Sequence, residues 1–262
     1  MNLEELYTTY NKREYVHPDP LEFLYNYPKL EDREVVGLIA SSLAYGRVYQ
    51  ILKSVSFVLN KMGDSPFDFI KNTDDEYLNH IFCDFKYRFT KGEHIVSLLI
   101  SIKEIILDYS SLYDCFVYGI NKNDDTIINA LKFFSEKLLE RNAPKHLIPT
   151  PAKGSACKRL NLFLRWMVRF DAVDPGGWDN RLTPKLIVPL DVHMHKISIK
   201  LGLTSRKQAD MRTAKEITEA FRHFSPSDPV KYDFALTRLG IRKDINVEPS
   251  LPLIFSPKTY IL

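Results

Sequence analysis

Apolar residues recur at steps of three and four along most of this chain, and that spacing restricts the fold more than any other feature. An α-helix has 3.6 residues per turn, so such residues fall on one face that can be buried. Strand-like alternation is scarce, and its best candidate, LIVPL (186–190), is short and contains Pro189. The sequence therefore predicts an all-α fold. The helical segments are VVGLIASSLA (35–44), ILKSVSFVLNKM (51–62), HIVSLLISIKEIIL (94–107), TIINALKFFSEKLL (126–139), CKRLNLFLRWMVRF (157–170), DVHMHKISIKLG (191–202), MRTAKEITEAFRHF (211–224) and DPVKYDFALTRLG (228–240).

Capping residues support these boundaries. Short polar side chains and proline favour helix starts, whereas glycine favours helix ends. The residues that mark boundaries are Asp64 with Ser65-Pro66, Thr73 or Asp74, and Asp228-Pro229 at starts, and Gly202 and Gly240 at ends. The stretch DAVDPGGWDNRLTP (171–184) is predicted to be a loop. The proline-rich tail EPSLPLIFSPKTYIL is predicted to be extended.

Composition indicates a soluble globular protein in a reducing compartment. Hydrophobic residues make up 45% of the 262 residues and charged residues 26%. We expect no membrane span and no signal peptide, because the longest apolar runs are short and the N-terminus is polar and acidic. Cys83, Cys115 and Cys157 are too scattered for a disulfide framework or a zinc or iron–sulfur site. We therefore expect a cytoplasmic protein with no metal and no cofactor.

The charge is small overall but uneven. The net charge is +3, yet nine bases and four acids between Pro151 and Lys200 leave a local excess of five positive charges. Such an excess suits a polyanionic partner, and it suits a solvated helical surface equally well.

The segment KGSACKRLNLFLRW (153–166) places a lysine at the start of a helix. A turn containing Gly154 precedes an amphipathic helix, so Lys158 lies in the first helical turn near the positive end of the helix dipole. A cation there is disfavoured by a few tenths of a kcal/mol up to about 1 kcal/mol. This favours the neutral amine that a nucleophilic lysine needs. The alternative is an ordinary solvent-exposed lysine.

Asp191 stands where the apolar run LIVPL meets the next helix. It is well placed to cap that helix by accepting backbone N–H bonds, which would also keep the carboxylate ionised. His193 and His195 point about 200° apart on a helix, so they do not suit one metal ion. Packing or a phosphate contact is the better interpretation for either histidine.

Together these segments resemble the helix-hairpin-helix DNA glycosylases. That family has a glycine hairpin followed by a lysine, and then a VDTH or VDVH segment, to which VPLDVHM is similar. LIASSLAYGRV (38–48) resembles the family's early helix and DNA-entering loop, and KYRFTKGEHIVSLLISI (86–102) resembles its next helix. YDFALTRLGI (232–241) lies where the family closes its base pocket. The chain also resembles an uncharacterised bacterial family of distant relatives.

The resemblance implies a two-lobed helical fold in one unit spanning residues 1–262. The lobes would cover about 30–145 and 146–245, with the N-terminal segment and the C-terminal tail packed on them. The implied partner is double-stranded DNA with a damaged base, the implied activity is base excision with abasic-site lyase chemistry on an oxidised purine, and we expect a monomer.

Residue by residue, the resemblance makes Lys158 the amine nucleophile and Asp191 the carboxylate that stabilises positive charge on the sugar. It assigns DNA contacts to Gly154, Ser155, Lys153, Arg159, His193, Tyr45, Gly46 and Arg47. Phe234, Tyr232 and Trp166 are candidates for the wall of the base pocket, although core packing is the commoner role for aromatic residues at helical spacing.

Departures from the family pattern leave two other functions open. Ala156 stands where the family hairpin has its second glycine, and no Leu-Pro pair precedes the turn. The chain could then be a non-catalytic nucleic-acid-binding protein, or a helical protein-interaction domain.

Overall fold

The computed structural model describes residues 2–241, and these are mostly helical, as the sequence predicts. One antiparallel hairpin, β1 (Lys86–Tyr87) and β2 (Thr90–Lys91), interrupts the helices. Short 3-10 helices cover Arg13–Tyr15, Pro20–Asn26, Pro151–Lys153 and Asn180–Lys185. The α-helices are α1 (Leu3–Tyr10), α2 (Leu30–Ser42), α3 (Val48–Met62), α4 (Pro66–Asn72), α5 (Asp75–Phe82), α6 (Gly92–Tyr109), α7 (Leu112–Tyr118), α8 (Ile128–Glu140), α9 (Lys158–Val168), α10 (Val192–Lys200), α11 (Met211–Arg222) and α12 (Asp233–Ile241).

The chain divides into two compact units. We call Pro18–Thr150 the middle unit. The terminal unit combines the N-terminal segment through His17 with the described residues from Pro151 onward. The N-terminal segment and the region of Lys158 and Asp191 therefore belong to the same unit.

The middle unit is built around α6, which packs against α4, α5, α7 and α8. The apolar stripe predicted in this segment is fully buried at Ile95, Leu99 and Ile102. Burial of each such side chain contributes roughly 1.5–3 kcal/mol. The helix α2 packs on α4 and on the 3-10 helix Pro20–Asn26, completing the core.

The terminal unit places α1 and α10 against α12. Lys231, just before α12, donates to Glu4 of α1 at 2.8 and 2.9 Å, and the Tyr232 hydroxyl also donates to Glu4. The pKa of Glu4 is lowered by these two hydrogen bonds, mainly the one from Lys231. The first helix of the chain is thus attached to its last described helix.

Several predicted caps are confirmed. Asp74 caps α5 by accepting from the Tyr77 N–H at 2.7 Å. The prediction that Asp64 caps α4 was wrong, because its neighbour Ser65 is the capping residue. Gly202 ends α10 with a φ of +70°, and the Leu203 N–H donates back to the Ser198 carbonyl at 2.9 Å.

Two predictions about the last helix were wrong, and the one strand candidate did not form. LIVPL forms no strand, because Pro189 lacks an N–H and the Val188 N–H donates to Thr218 Oγ1 at 3.0 Å. The last predicted helix starts at Asp233 instead of after Asp228, since the Asp228 carboxylate accepts from Arg169 Nε at 3.0 Å and does not cap. Gly240 therefore lies inside α12. The proline-rich tail lies outside the described residues.

Candidate functional site

Lys158 is the first residue of α9, as the sequence predicts, and its side chain is half-buried. The residue before it, Cys157, has left-handed backbone angles (φ +48°, ψ +38°), which are strained for a non-glycine residue. Asn161, one turn into the helix, fixes this approach because its side-chain N–H donates to the Ala156 carbonyl at 2.9 Å. The backbone that carries Lys158 is therefore held on both sides of the helix start.

Cys157 is a second potential nucleophile beside Lys158, and its environment argues against that role. Burial raises the pKa of its thiol to about 11, although a hydrogen bond with Ser155 and the charge of Arg159 oppose the shift. The thiolate is the reactive form of cysteine, so this thiol stays protonated and unreactive near neutral pH. The amine is the nucleophile that this helix start offers.

The turn before α9 is an exposed glycine turn. Gly154 has a φ of +78°, and a Cβ at this position would meet no atom within 4 Å. Ser155 forms an antiparallel bridge with Asp210, and the Met211 N–H donates to the Gly154 carbonyl at 3.1 Å. The exposed backbone leaves room for a phosphate or another ligand against the turn.

The other residues predicted at this turn lie on either side of it. Lys153 is exposed at the end of the 3-10 helix Pro151–Lys153, and Arg159 is half-buried in the first turn of α9. Ser155 Oγ accepts from the Cys157 N–H at 3.1 Å, so that hydroxyl shapes the turn.

Asp191 caps α10, which confirms the predicted cap. Its Oδ1 accepts from the Met194 N–H at 2.8 Å, and the side chain is half-buried. His193 is exposed, whereas His195 Nε2 lies 2.8 Å from the Arg206 carbonyl. Within residues 2–241, no three His, Cys, Asp or Glu side chains come together as a possible metal site.

Sequence reasoning missed Asp233, a buried carboxylate that interacts with Asp191. Asp233 begins α12, against which α10 packs, and it is 2% exposed. Burial raises its pKa to about 6; Arg165 opposes the shift, and the negative charges of Asp191 and Asp174 add to it. Asp191 therefore interacts electrostatically with a second acid in the protein interior.

Arg165 and Arg169 form a buried ion-pair network with the loop after α9. Arg165 Nε donates to Asp174 at 3.2 Å, and Arg169 also pairs with Asp174 and with Asp171 and Asp228 at 2.8 Å. These two arginines were counted in the local basic excess, but they are neutralised in the interior. Their spacing, i and i+4 on one apolar helix followed by two aspartates, was the signal that could have revealed them.

The three aromatic residues predicted to line a base pocket are all buried. Trp166 is 0% exposed, Tyr232 2% and Phe234 1%. The guanidinium groups of Arg165 and Arg238 lie over the Phe234 ring, 5.9 and 4.5 Å from its centroid. A base would reach any of these rings only after an opening of the unit, so their role in a pocket stays a prediction.

A cavity of about 280 Å³ lies elsewhere in the terminal unit. Phe170, which is 80% exposed, borders it. The remaining lining is polar: Arg169, Asn180, Thr183, Ser227 and Asp228. Its volume is close to the lower limit for small-molecule sites.

The middle unit carries the predicted DNA-entering loop, Tyr45–Gly46–Arg47, between α2 and α3. Tyr45 Oη lies 2.6 Å from Thr90 Oγ1, and Arg47 is exposed. Gly46 has a φ of +92°, and a Cβ there would lie 2.8 Å from both Arg88 Nη1 and Tyr87 Oη. The loop is thus fitted closely against the β1–β2 hairpin.

The tip of that hairpin presents an aromatic residue that the sequence analysis placed in a helix. Phe89 is 57% exposed and stacks on Tyr45, with ring centroids 5.2 Å apart and an interplanar angle of 17°. His146 meets Phe89 edge-on at 5.2 Å, and Arg88 beside it has a φ of +55°. An exposed ring that stacks on a second aromatic side chain next to arginines is typical of nucleic-acid contacts.

Comparison with known proteins gives one match. The model of a family described as a protein of unknown function (DUF2400) matches residues 19–242. No curated protein and no solved structure matches the chain. No helix among residues 2–241 combines the length and the hydropathy needed to cross a membrane.

Proposed function

We propose that this chain, which belongs to the DUF2400 family, is a DNA base-excision glycosylase with abasic-site lyase activity on an oxidised purine. The proposal includes the two-lobed, helix-hairpin-helix type of fold. The observation that carries it is the placement of Lys158 and Asp191. Each begins a helix of the same unit, each side chain is half-buried, and Asp191 is fixed by its cap.

The chemistry requires an amine and an anion beside a flipped nucleotide. The lone pair of Lys158 Nζ forms a bond to C1′ while the electron pair of the C1′–N9 bond leaves with the base. The proton released by Nζ passes through Asp191 to the departing base. Negative charge on Asp191 stabilises the oxocarbenium character that develops on the sugar.

The lyase step follows from the same bond. Opening of the sugar ring, in which O4′ takes a proton from water, leaves a protonated Schiff base between Nζ and C1′. Loss of a proton from C2′ then expels the 3′-phosphate and breaks the strand. No metal or external oxidant is needed for any of these steps.

Contacts with DNA are proposed from both units. In the terminal unit, the exposed Gly154 turn with Lys153, Ser155, Arg159 and His193 would hold the backbone. In the middle unit, Tyr45, Gly46 and Arg47 would insert into the duplex. Removal of a base from the stack costs a few kcal/mol, and inserted side chains recover part of that cost by stacking in its place.

Borohydride trapping tests the proposal. The chain is incubated with duplexes that contain 8-oxoguanine or an abasic site, and the reduced adduct is separated by denaturing electrophoresis. We expect an adduct that is lost in Lys158→Gln and kept in Lys132→Gln, which removes an exposed lysine of α8. The control is needed because abasic sites react with many amines.

Two outcomes would contradict the proposal. If no adduct forms with either duplex, or if Lys158→Gln is trapped as well as wild type, the chain is not a lysine-dependent lyase. Salt-dependent duplex binding without an adduct would instead indicate a non-catalytic nucleic-acid-binding protein, and absence of binding would favour a protein-interaction domain.

A further inference from the structure

The segment from Arg206 to Met211 joins the two helix starts of the candidate site. Its Asp210 bridges Ser155 in the turn before α9, and the Met211 N–H donates to the Gly154 carbonyl. The Arg206 carbonyl lies 2.8 Å from His195 Nε2 on α10. At its end, Met211 is the first residue of α11.

Charged residues lie close in sequence to both segments of the antiparallel bridge. Lys153 lies two residues before Ser155, and Arg212 lies two residues after Asp210, so both lie beyond the same end of the bridge. Lys207 precedes Asp210 by three residues and lies beyond the other end, as does Lys158, three residues after Ser155. Cations therefore flank both ends of the bridge.

Among the residues that the structure describes, local acids pair with Arg206 but not with Lys153, Lys207 or Arg212. Arg206 pairs with Asp210 at 3.3 Å and with Glu216 at 4.0 Å, and Asp210 is also occupied as the cap of α11. Lys153, Lys207 and Arg212 are all exposed, and within residues 2–241 no carboxylate lies within 4 Å of their charged nitrogens. The bridge is thus bordered by uncompensated positive charge.

We propose that Lys153, Lys207 and Arg212 form one surface that binds the phosphate backbone of nucleic acid. A polyanion fits because it supplies several negative charges at regular spacing, and release of its counterions favours binding. The hydrogen bonds through Gly154 and Asp210 hold the two segments of this surface in fixed register. The inference rests on the proposed function for its choice of ligand, and it adds the Arg206–Arg212 region to the DNA-binding surface.

The salt dependence of DNA binding tests this surface. The probe is a short duplex with a tetrahydrofuran analogue of an abasic site, and its Kd is measured over a range of KCl concentrations. The variant is Lys153→Gln/Lys207→Gln/Arg212→Gln. The matched control is Lys29→Gln/Lys122→Gln/Lys132→Gln, which changes three exposed cations of the middle unit and removes the same three charges from a net charge of +3.

Each lost phosphate contact reduces the magnitude of the negative slope of log K against log salt by about 0.9. We therefore expect a markedly shallower slope and at least tenfold weaker binding at moderate salt for the test variant, with little change in the control. Equal effects in both variants, or an unchanged slope in the test variant, would overturn the inference. So would failure of wild type to bind the duplex at low salt.

The test is independent of catalysis. Binding with the expected slopes but without a borohydride adduct would keep this inference and reject the proposed enzyme. A Lys158-dependent adduct, together with a salt slope that is the same in the test variant and wild type, would support the proposed enzyme and reject this inference. If the triple variant unfolds, the double variant Lys207→Gln/Arg212→Gln tests the same inference, with a shallower salt slope again expected. Both residues are exposed, and their change leaves the Gly154 turn intact.

Discussion

Asp233 on α12 forms an ion pair with Arg165 on α9 in which both side chains are almost fully buried, with exposed fractions of 2% and 4%. Arg165 also holds Asp174, which is fully buried. Helices far apart in sequence are therefore joined by charge as well as by apolar packing. Because the charges lie out of water, removal of one partner is costly.

Loss of Arg165 should strongly destabilise the chain. Arg165→Ala leaves Asp174 and Asp233 as buried carboxylates with one cation fewer, and we expect a loss of about 3–5 kcal/mol in the free energy of unfolding. Urea denaturation followed by circular dichroism measures it. The control is Arg181→Ala, which removes an 88% exposed partner of Asp179 and should cost less than about 1 kcal/mol. Similar urea midpoints for the two variants would contradict the role given to Arg165.

Asp233 should make stability fall as pH rises through the acidic range. Its folded pKa of about 6 lies above the usual value of 3.8, so the folded state binds the proton more tightly than the unfolded state does. Its stabilising contribution is complete below pH 3.8 and is lost as pH rises through 6. In Asp233→Asn this dependence should disappear, so the stability difference from wild type should change by roughly 1–3 kcal/mol between pH 4 and 6. Parallel stability curves for the two chains would refute the prediction.

The cap and the proposed chemistry of Asp191 can be separated. Asparagine caps helices about as well as aspartate, so Asp191→Asn should change stability by less than about 0.5 kcal/mol. If the carboxylate stabilises the transition state, the single-turnover rate should fall by about 100-fold or more. Asp74→Asn makes the same change at the cap of α5 and should leave the rate unchanged. A rate for Asp191→Asn equal to that of Asp74→Asn would exclude the catalytic role.

Three glycines with positive φ should tolerate alanine differently. Gly63→Ala and Gly154→Ala meet no atom within 4 Å, so each should lose about 1–3 kcal/mol of stability from backbone strain alone. Gly46→Ala should lose more, because its Cβ would displace Tyr87, whose hydroxyl donates to the Tyr45 carbonyl. Thermal unfolding of the three variants compares these costs. An unfolding temperature of Gly46→Ala equal to or above that of Gly63→Ala would show that the loop is not held by the hairpin.

Phe89 should contribute to DNA binding without being essential to the fold. Stacking of a base on an aromatic side chain contributes roughly 1–3 kcal/mol, so Phe89→Ala should weaken duplex binding by about tenfold. Tyr118→Ala is the control, since Tyr118 is 74% exposed and contacts Phe133 on another part of the middle unit. Equal binding by the two variants would argue against a nucleic-acid contact at the hairpin tip.

The sequence predicted those features that depend on neighbouring residues. The helix beginning at Lys158 and the Asp191 cap follow from local hydrogen bonding and periodicity, and both are observed. The late start of α12 was missed because Asp228 is held by Arg169, which lies 59 residues away. No local propensity encodes such a pairing.

The dependence on contacts between distant residues also explains why the sequence revealed only part of the candidate site. In the sequence, Asp233 is an ordinary acidic residue of the helix predicted over 228–240. Its burial follows only from the packing of α12 on α10 and α1. The β1–β2 hairpin is too short for a strand pattern, since each strand has two residues. Its exposed Phe89 could be recognised only from the fold.

The terminal unit combines residues that precede the middle unit in sequence with residues that follow it, and this order affects folding during synthesis on the ribosome. Pro18–Thr150 is contiguous and can fold as soon as it has emerged. The helix α1, which is made before α12, cannot contact α12 until that helix has been translated. Glu4 therefore forms its hydrogen bonds with Lys231 and Tyr232 only at that late stage, long after the middle unit can have folded.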